Sequence, residues 1–173
     1  MRSFNTQFIV FSGVFTALTI LFTHVFSIET VFVRISFGFL PIAVFAAIFG
    51  PLRGGIMAGI ADLIGCLLFT PGLFFPGFTV SAFCSGVIYG YFFHTKKISL
   101  LRIASAIFLI IFIIDLGLNT LWLTLLYHKA ASVFLASRIL KCIVLFPVQV
   151  MLFYSVYKAL CHYPHFYRSV SKL

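Results

Sequence analysis

The sequence predicts an all-α integral membrane protein: one bundle of six transmembrane helices forming a single domain over residues 1–173, with both termini cytoplasmic. Three observations carry that expectation. Hydrophobic residues make up 62% of the chain and charged residues only 9%, against about 45–50% and about 25% in soluble domains. Six apolar runs are separated by polar or Gly-Pro breaks, and a chain of this length has room for at most about six or seven spans. The basic residues, finally, fall unevenly between the two sides that these runs define.

Helix 1 covers about Phe8 to Ser27. It is too long for a signal-peptide core and lacks a small-x-small cleavage site followed by a soluble domain, so it reads as a retained span. The polar break Ile28 to Ser36, carrying Glu29 and Arg34, is loop 1. Helix 2 covers about Phe37 to Phe49 and stops at Gly50-Pro51, because proline has no amide to continue the hydrogen-bond ladder. Helix 3, about Leu52 to Phe69, carries Gly54, Gly55, Ala58, Gly59, Ala61 and Gly65, small residues that let neighbouring backbones approach closely. Pro71-Gly72 and Pro76-Gly77 bracket a tight aromatic turn. Helix 4 covers about Phe78 to Phe93 and leads into His94, Lys96, Lys97 and Arg102. Helix 5 runs from about Ile103 to Tyr127, and helix 6 from about Ser132 to Leu160, before a polar tail.

A formal charge of +9 would suggest nucleic acid in a soluble protein, but here most of it orients helices and no nucleic-acid partner is expected. An even number of spans puts both termini on one side. That side collects Arg2, Arg53, Lys96, Lys97, Arg102, Lys158, Arg168 and Lys172, whereas the other has Arg34 and Lys129, with Arg138 and Lys141 inside helix 6. The first side is therefore cytoplasmic. Four basic residues are left that this rule does not explain.

Ionisable groups inside a span cost roughly 2.5–3.5 kcal/mol by insertion scales, so they face the bundle interior or a wet cavity and often mark function. These are Asp62 on helix 3, Asp115 on helix 5, and Arg138 and Lys141 on helix 6, joined by the neutral Asn119 and Gln149. Asp115, Asn119 and Trp122 stand at i, i+4 and i+7, one helical face. With cytoplasmic termini, Asn119, Trp122 and Arg138 share the outer third of the membrane with Arg34 of loop 1 and with Phe78 and Ser81 of helix 4. Cations, amides and aromatics at one level suit an amphipathic anion with a flat ring. Arginine's planar fork matches a carboxylate, and aromatic faces pack on a heterocycle.

Each residue also has a plainer reading. Arg138 and Lys141 can snorkel to the outer headgroups, Asp115 can pair with Lys141 as an internal tie, and Asp62 can bond a neighbouring helix instead of a ligand's amino groups. Trp122 can belong to the interfacial aromatic belt. The five histidines have no metal-ligand spacing and read as solvated residues at the interfaces, and Cys66, Cys84, Cys142 and Cys161 sit apart as small packing residues.

No P-loop, HExxH or GxSxG motif occurs, and three acidic residues in the whole chain leave little for general acid–base chemistry. An enzyme is not expected, nor a cofactor or metal. Two-halved internal repeats, the mark of transporters that work alone, are also lacking. On helix 1, Gly13 and Ala17 form a small-xxx-small pair, suited either to a partner helix or to packing within the bundle.

The strings Arg34 to Pro41 (RISFGFLP), Phe49 to Gly55 (FGPLRGG), Ala61-Asp62-Leu63, Phe74 to Thr79 (FFPGFT), Ser85 to Gly90 (SGVIYG) and Leu118 to Tyr127 (LNTLWLTLLY) together resemble the folate-type S components (FolT type) of energy-coupling factor (ECF) transporters. The resemblance covers most of the chain. It implies a six-helix bundle of the ECF S-component type with cytoplasmic termini in a bacterial cell membrane. It also implies vitamin capture on the outer face, and assembly with a transmembrane coupling subunit and two ATPases. In that family a small-xxx-small pair in helix 1 contacts the coupling subunit, which maps onto Gly13 and Ala17. Folate's two carboxylates would meet Arg34 and Arg138 or Lys141, and its pterin would stack on an aromatic and bond Asn119 or Asp62. Sister specificities, pantothenate or a thiamine precursor, share the architecture. A membrane scaffold that holds anionic lipid on its basic side is the reading from another class.

Overall fold

The computed structural model describes residues 6–29, 34–69, 75–94, 98–127 and 131–161. Arg2, Lys96, Lys97, Lys129, Arg168 and Lys172, as well as the Pro71-Gly72 pair and Phe74, lie outside them. Among the described residues there are six helices, in the order the apolar runs set out. Helix α1 comprises Thr6–Ile20 and a wider π-helical end, Leu21–Val25; α2 is Phe39–Phe49, α3 Pro51–Phe69 and α4 Pro76–Phe93. Leu100–Leu109, the π-helical Ile110–Leu118 and Asn119–Tyr127 follow without a break and make one long helix, α5 (100–127). Helix α6 is Ala131–Cys161.

Loop 1 is not irregular. It contains two short strands, β1 (Ser27–Glu29) and β2 (Arg34–Ser36), paired antiparallel with Ser27 opposite Ser36 and Arg34 opposite Glu29. At a membrane surface such pairing satisfies backbone amides and carbonyls that would otherwise lack partners. The hairpin folds back on α1, where the Phe37 amide donates to the Phe22 carbonyl at 3.3 Å.

Helix α2 explains the architecture. It is apolar on every side, and Pro41 and Ala43 through Phe49 are all buried, as expected of a helix with no face for water. Phe45, fully buried, touches the rings of Phe8, Phe15 and Phe49 at 6.4, 5.5 and 4.5 Å. The same core continues into α4, α5 and α6, where Phe93 stacks on Phe153 at 4.7 Å and 14° and Ile103 and Ile107 are fully buried.

Gly50 joins α2 to α3 alone. Its φ of +93° and ψ of 174° lie in a region open almost only to glycine, and Pro51 follows at the first helical position, where its fixed φ suits a start. His94, which ends α4, braces this elbow: Nδ1 lies 3.1 Å from the Ala47 carbonyl. A carbonyl only accepts, so Nδ1 is the protonated nitrogen. His94 and half-buried His24, stacked on Phe69 at 5.3 Å, are thus packed residues rather than the solvated ones expected. His94→Ala should lower stability by about 1 kcal/mol, the net worth of one such bond, read as a small drop in the thermal midpoint of the detergent-solubilised protein.

Helices α3 and α4 run antiparallel through their glycines, as the small residues of α3 led us to expect. A Cβ on Gly54 would stand 2.5 Å from the Ala46 side chain and 3.2 Å from the Gly86 carbonyl oxygen. Around the bundle, large apolar side chains face outward, Leu101 at 82%, Leu140 at 71% and Met151 at 71% exposure. That is a lipid-facing surface, since soluble monomers do not expose continuous apolar area on this scale. Segments 8–25, 51–69, 100–126 and 138–159 are each long and apolar enough to cross a membrane; α2, at eleven residues, is not.

Candidate functional site

The chain reverses at two ends. One gathers the hairpin, the close of α3, the start of α4, and the junction of α5 with α6; this hairpin end holds the polar residues of interest. Trp122 is half-buried, its indole Nε1 donating to the Ser81 hydroxyl at 3.0 Å. Its ring lies 5.7 Å from that of Phe75, which in turn meets Phe78 edge-on at 6.1 Å and 72°. Trp122 is therefore built into the bundle, which argues against the aromatic belt. Ser81, 3% exposed, fixes the ring's rotation, and Gly77 makes room for it: a Cβ there would stand 2.5 Å from both the Phe75 and the Trp122 rings.

Asp62 accepts a hydrogen bond from Thr79 Oγ1 at 2.9 Å, tying α3 to α4 on the same level. Asp115 sits in the π-helical stretch of α5. There the Asn119 amide reaches the Ile114 carbonyl, five residues back, and the widened turn leaves the Asp115 main-chain carbonyl able to take side-chain donors. Arg138 Nη1 donates to that carbonyl at 2.6 Å, and the Thr120 hydroxyl lies 3.3 Å from it. The Asp115 carboxylate accepts from the Asn119 side-chain amide at 3.3 Å.

The expected Asp115–Lys141 ion pair does not form. No ion pair joins them among the described residues, because Asp115 is engaged by its own helix and by Arg138. Arg138 does not reach for headgroups either. It turns inward across the α5–α6 interface, and Lys141 is half-buried on the same helix. The backbone of Arg34 lies on β2, at this same end.

Sequence reasoning thus brought together Asp62, Phe78, Ser81, Asn119, Trp122 and Arg138, and it missed Phe75, Gly77, Thr79 and Thr120. The Pro76-Gly77 pair was a signal for the first two, since a proline that opens a helix fixes the direction of the residue before it. Gly13 and Ala17 lie on the opposite kind of surface. Both are exposed, and a Cβ on Gly13 would meet nothing within 4 Å, so this pair does not serve packing within the bundle.

Known proteins match this arrangement along nearly its full length. The model of the ECF-type riboflavin transporter S component family matches residues 3–161. The folate transporter FolT of Clostridium novyi (strain NT) is 39% identical over 158 residues, 91% of this chain and 91% of the relative. FolT of Leuconostoc mesenteroides subsp. mesenteroides is 36% identical over 135 residues, 74% of this chain and 72% of its own length. A crystal structure of FolT bound with folic acid superimposes with a TM-score of 0.85 at 38% identity, covering 88% of this chain and 93% of that one. Six helices of which the short α2 is buried, an aromatic and amide cluster at the hairpin end, and a family match from residue 3 to residue 161 have one reading: the chain is a multi-pass membrane protein that belongs to the S components of ECF-type transporters.

Proposed function

We propose that this chain is a non-catalytic subunit that captures folate at the outer face of the cell membrane and passes it inward by associating with a transmembrane coupling subunit and two ATPases. The observation that carries the reading is the likeness to FolT bound with folic acid, which extends over 88% of the chain. The site has matching chemistry. Trp122 and Phe78 offer faces for a pterin, Ser81 holds the indole, Asp62 and Asn119 offer hydrogen bonds, and Arg34, Arg138 and Lys141 offer positive charge to two carboxylates. The excess of basic residues on the side of the termini supports a cytoplasmic placement for them, with the hairpin end outward.

The family model bears the riboflavin name, which gives a second reading some weight. Riboflavin is a neutral ring with a hydroxylated tail, and three cations at the hairpin end favour a dianion over it. Titrating the purified chain with folate, riboflavin, pantothenate and a thiamine precursor, by calorimetry and by quenching of its one tryptophan, decides the matter. Stoichiometric folate binding is the expected result. Preference for another vitamin would move the chain to that specificity, and binding of none by a folded sample would favour the lipid-holding scaffold.

Gly13 and Ala17 serve the second half of the proposal. Gly13→Leu should leave folate affinity within about twofold, since the position faces away from the bundle. It should cut co-purification of the coupling subunit by about tenfold or more, because a close helix approach tolerates no long side chain. Unchanged co-purification would place the coupling contact elsewhere.

A further inference from the structure

Arg53 stands at the foot of the seam between α1 and α3, at the end of the bundle opposite the hairpin. Along that seam the two helices are tied by Thr19, whose hydroxyl lies 3.8 Å from Met57 Sδ, and by His24, whose ring fills the space over Gly65. Arg53 is one turn before Met57 on the same face of α3, so its side chain meets α1. There its guanidinium carbon lies 4.9 Å from the centre of the half-buried Phe8 ring, which Phe49 holds edge-on at 5.2 Å and 77°. Arg53 as a whole is exposed, and among the described residues it makes no hydrogen bond or ion pair.

An arginine that only orients its helix extends toward the headgroups. This one lies back over a ring, where cation–π attraction holds it, and its N–H groups stay available for two parallel bonds to a carboxylate. Beside it α1 presents Ile9 and Val10, 57% and 59% exposed, and then the exposed Gly13, Val14 and Ala17. Gly13 is five residues beyond Phe8, roughly 7.5 Å along the helix, so a partner helix seated on Gly13 and Ala17 runs past the guanidinium. Charge decides what that helix carries there. The chain's three acidic residues, Glu29, Asp62 and Asp115, lie in the half of the bundle nearer the hairpin, whereas the opposite end, among the described residues, has Arg53, Arg102 and Lys158 and no carboxylate. A cation covered by a partner needs a counter-ion, and at this end the partner has to bring it.

We propose that Arg53, on its Phe8 platform, is the charged end of the coupling contact and receives an aspartate or glutamate carboxylate from the partner helix that seats on Gly13 and Ala17. This rests on the assembly with a coupling subunit proposed above and adds a polar determinant to it. Small residues allow close approach but leave the partner free to slide along α1. One ion pair beyond them fixes its register and direction, the use to which charges at interfaces are best suited.

The experiment measures binding of the coupling subunit with its two ATPases to the full chain in phosphatidylcholine nanodiscs, which hold no anionic headgroup, at low and at high salt. At low salt Arg53→Gln should weaken binding about tenfold and Arg53→Glu about 100-fold, and Phe8→Leu about threefold through the lost platform. Folate affinity should stay within about twofold in all three, which also shows that they fold. High salt should weaken the wild type and leave Arg53→Gln unchanged, a response that lost packing would not give. Equal binding by wild type and Arg53→Gln overturns the proposal, and so does wild-type binding that ignores salt, whatever the variants' folding. A defect that appears only once phosphatidylglycerol is added to the discs overturns it too, assigning Arg53 to a lipid headgroup. A wild-type chain that does not bind the coupling subunit at all overturns the assembly reading itself, and is recognised because no substitution is involved.

Discussion

Trp122→Ala should weaken folate binding by about 100-fold, within the 2–4 kcal/mol range that buried aromatic anchors command. The substitution removes the ring face, empties the space beside Gly77 and Phe75, and strands the Ser81 hydroxyl that receives the indole N–H. Trp122→Phe, which keeps a face and loses the bond, should fall between, at roughly tenfold, and Ser81→Ala should cost about fivefold through the freed indole. Calorimetry is the readout, because the first two variants remove the chain's one tryptophan. Wild-type affinity in Trp122→Ala would mean that the vitamin's ring lies elsewhere.

The largest effect on folding is expected from Gly86→Val. A Cβ at Gly86 would stand 2.5 Å from the Gly54 carbonyl oxygen, 2.7 Å from its carbon and 2.8 Å from Gly55 Cα. All three are main-chain atoms of α3, so no rotamer change makes room. The preference of a helix for a residue other than glycine, about 1 kcal/mol at most, runs the other way and loses. We expect destabilisation of about 3 kcal/mol, the upper end of overpacking costs, seen as a large fall in thermal midpoint or loss of the monodisperse species in detergent. Gly117→Ala is the control. Its Cβ would meet only the Phe112 carbonyl oxygen at 3.6 Å, an ordinary contact, so stability should hold.

How much of this was legible beforehand follows from the range of each signal. The six helices were, because apolar run length and Gly-Pro punctuation are strong local signals; even the α2–α3 elbow at Gly50 was placed. Ser99, whose hydroxyl accepts the Arg102 amide at 3.4 Å, was passed over as a cap, and α5 begins at Leu100, earlier than the Ile103 expected. The hairpin was missed because strands of three residues carry no period to detect. The π-helical stretch was missed because adding one residue to a turn leaves hydropathy unchanged, and yet it decides the fate of Asp115. Spacing along two helices suggested an Asp115–Lys141 pair; the widened turn offered Arg138 a backbone carbonyl instead. Several neighbours at the hairpin end were thus readable from the sequence and their bonds were not, since which polar group meets which depends on helix phase that sequence does not carry.

Helix α2 has a consequence for biogenesis. Eleven residues rise about 16 Å, roughly half of a 30 Å hydrocarbon core, and nearly all of its side chains face protein. Its hydrophobicity therefore cannot serve as a freestanding insertion signal across the whole bilayer. A nascent chain that has emerged only as far as Gly50 holds a segment too short to span and too apolar to stay in water. It becomes stable in the membrane when α3, turned back on it by one glycine, enters as the other arm of a helical hairpin. Position in the bilayer is, for this helix, inherited from its neighbour.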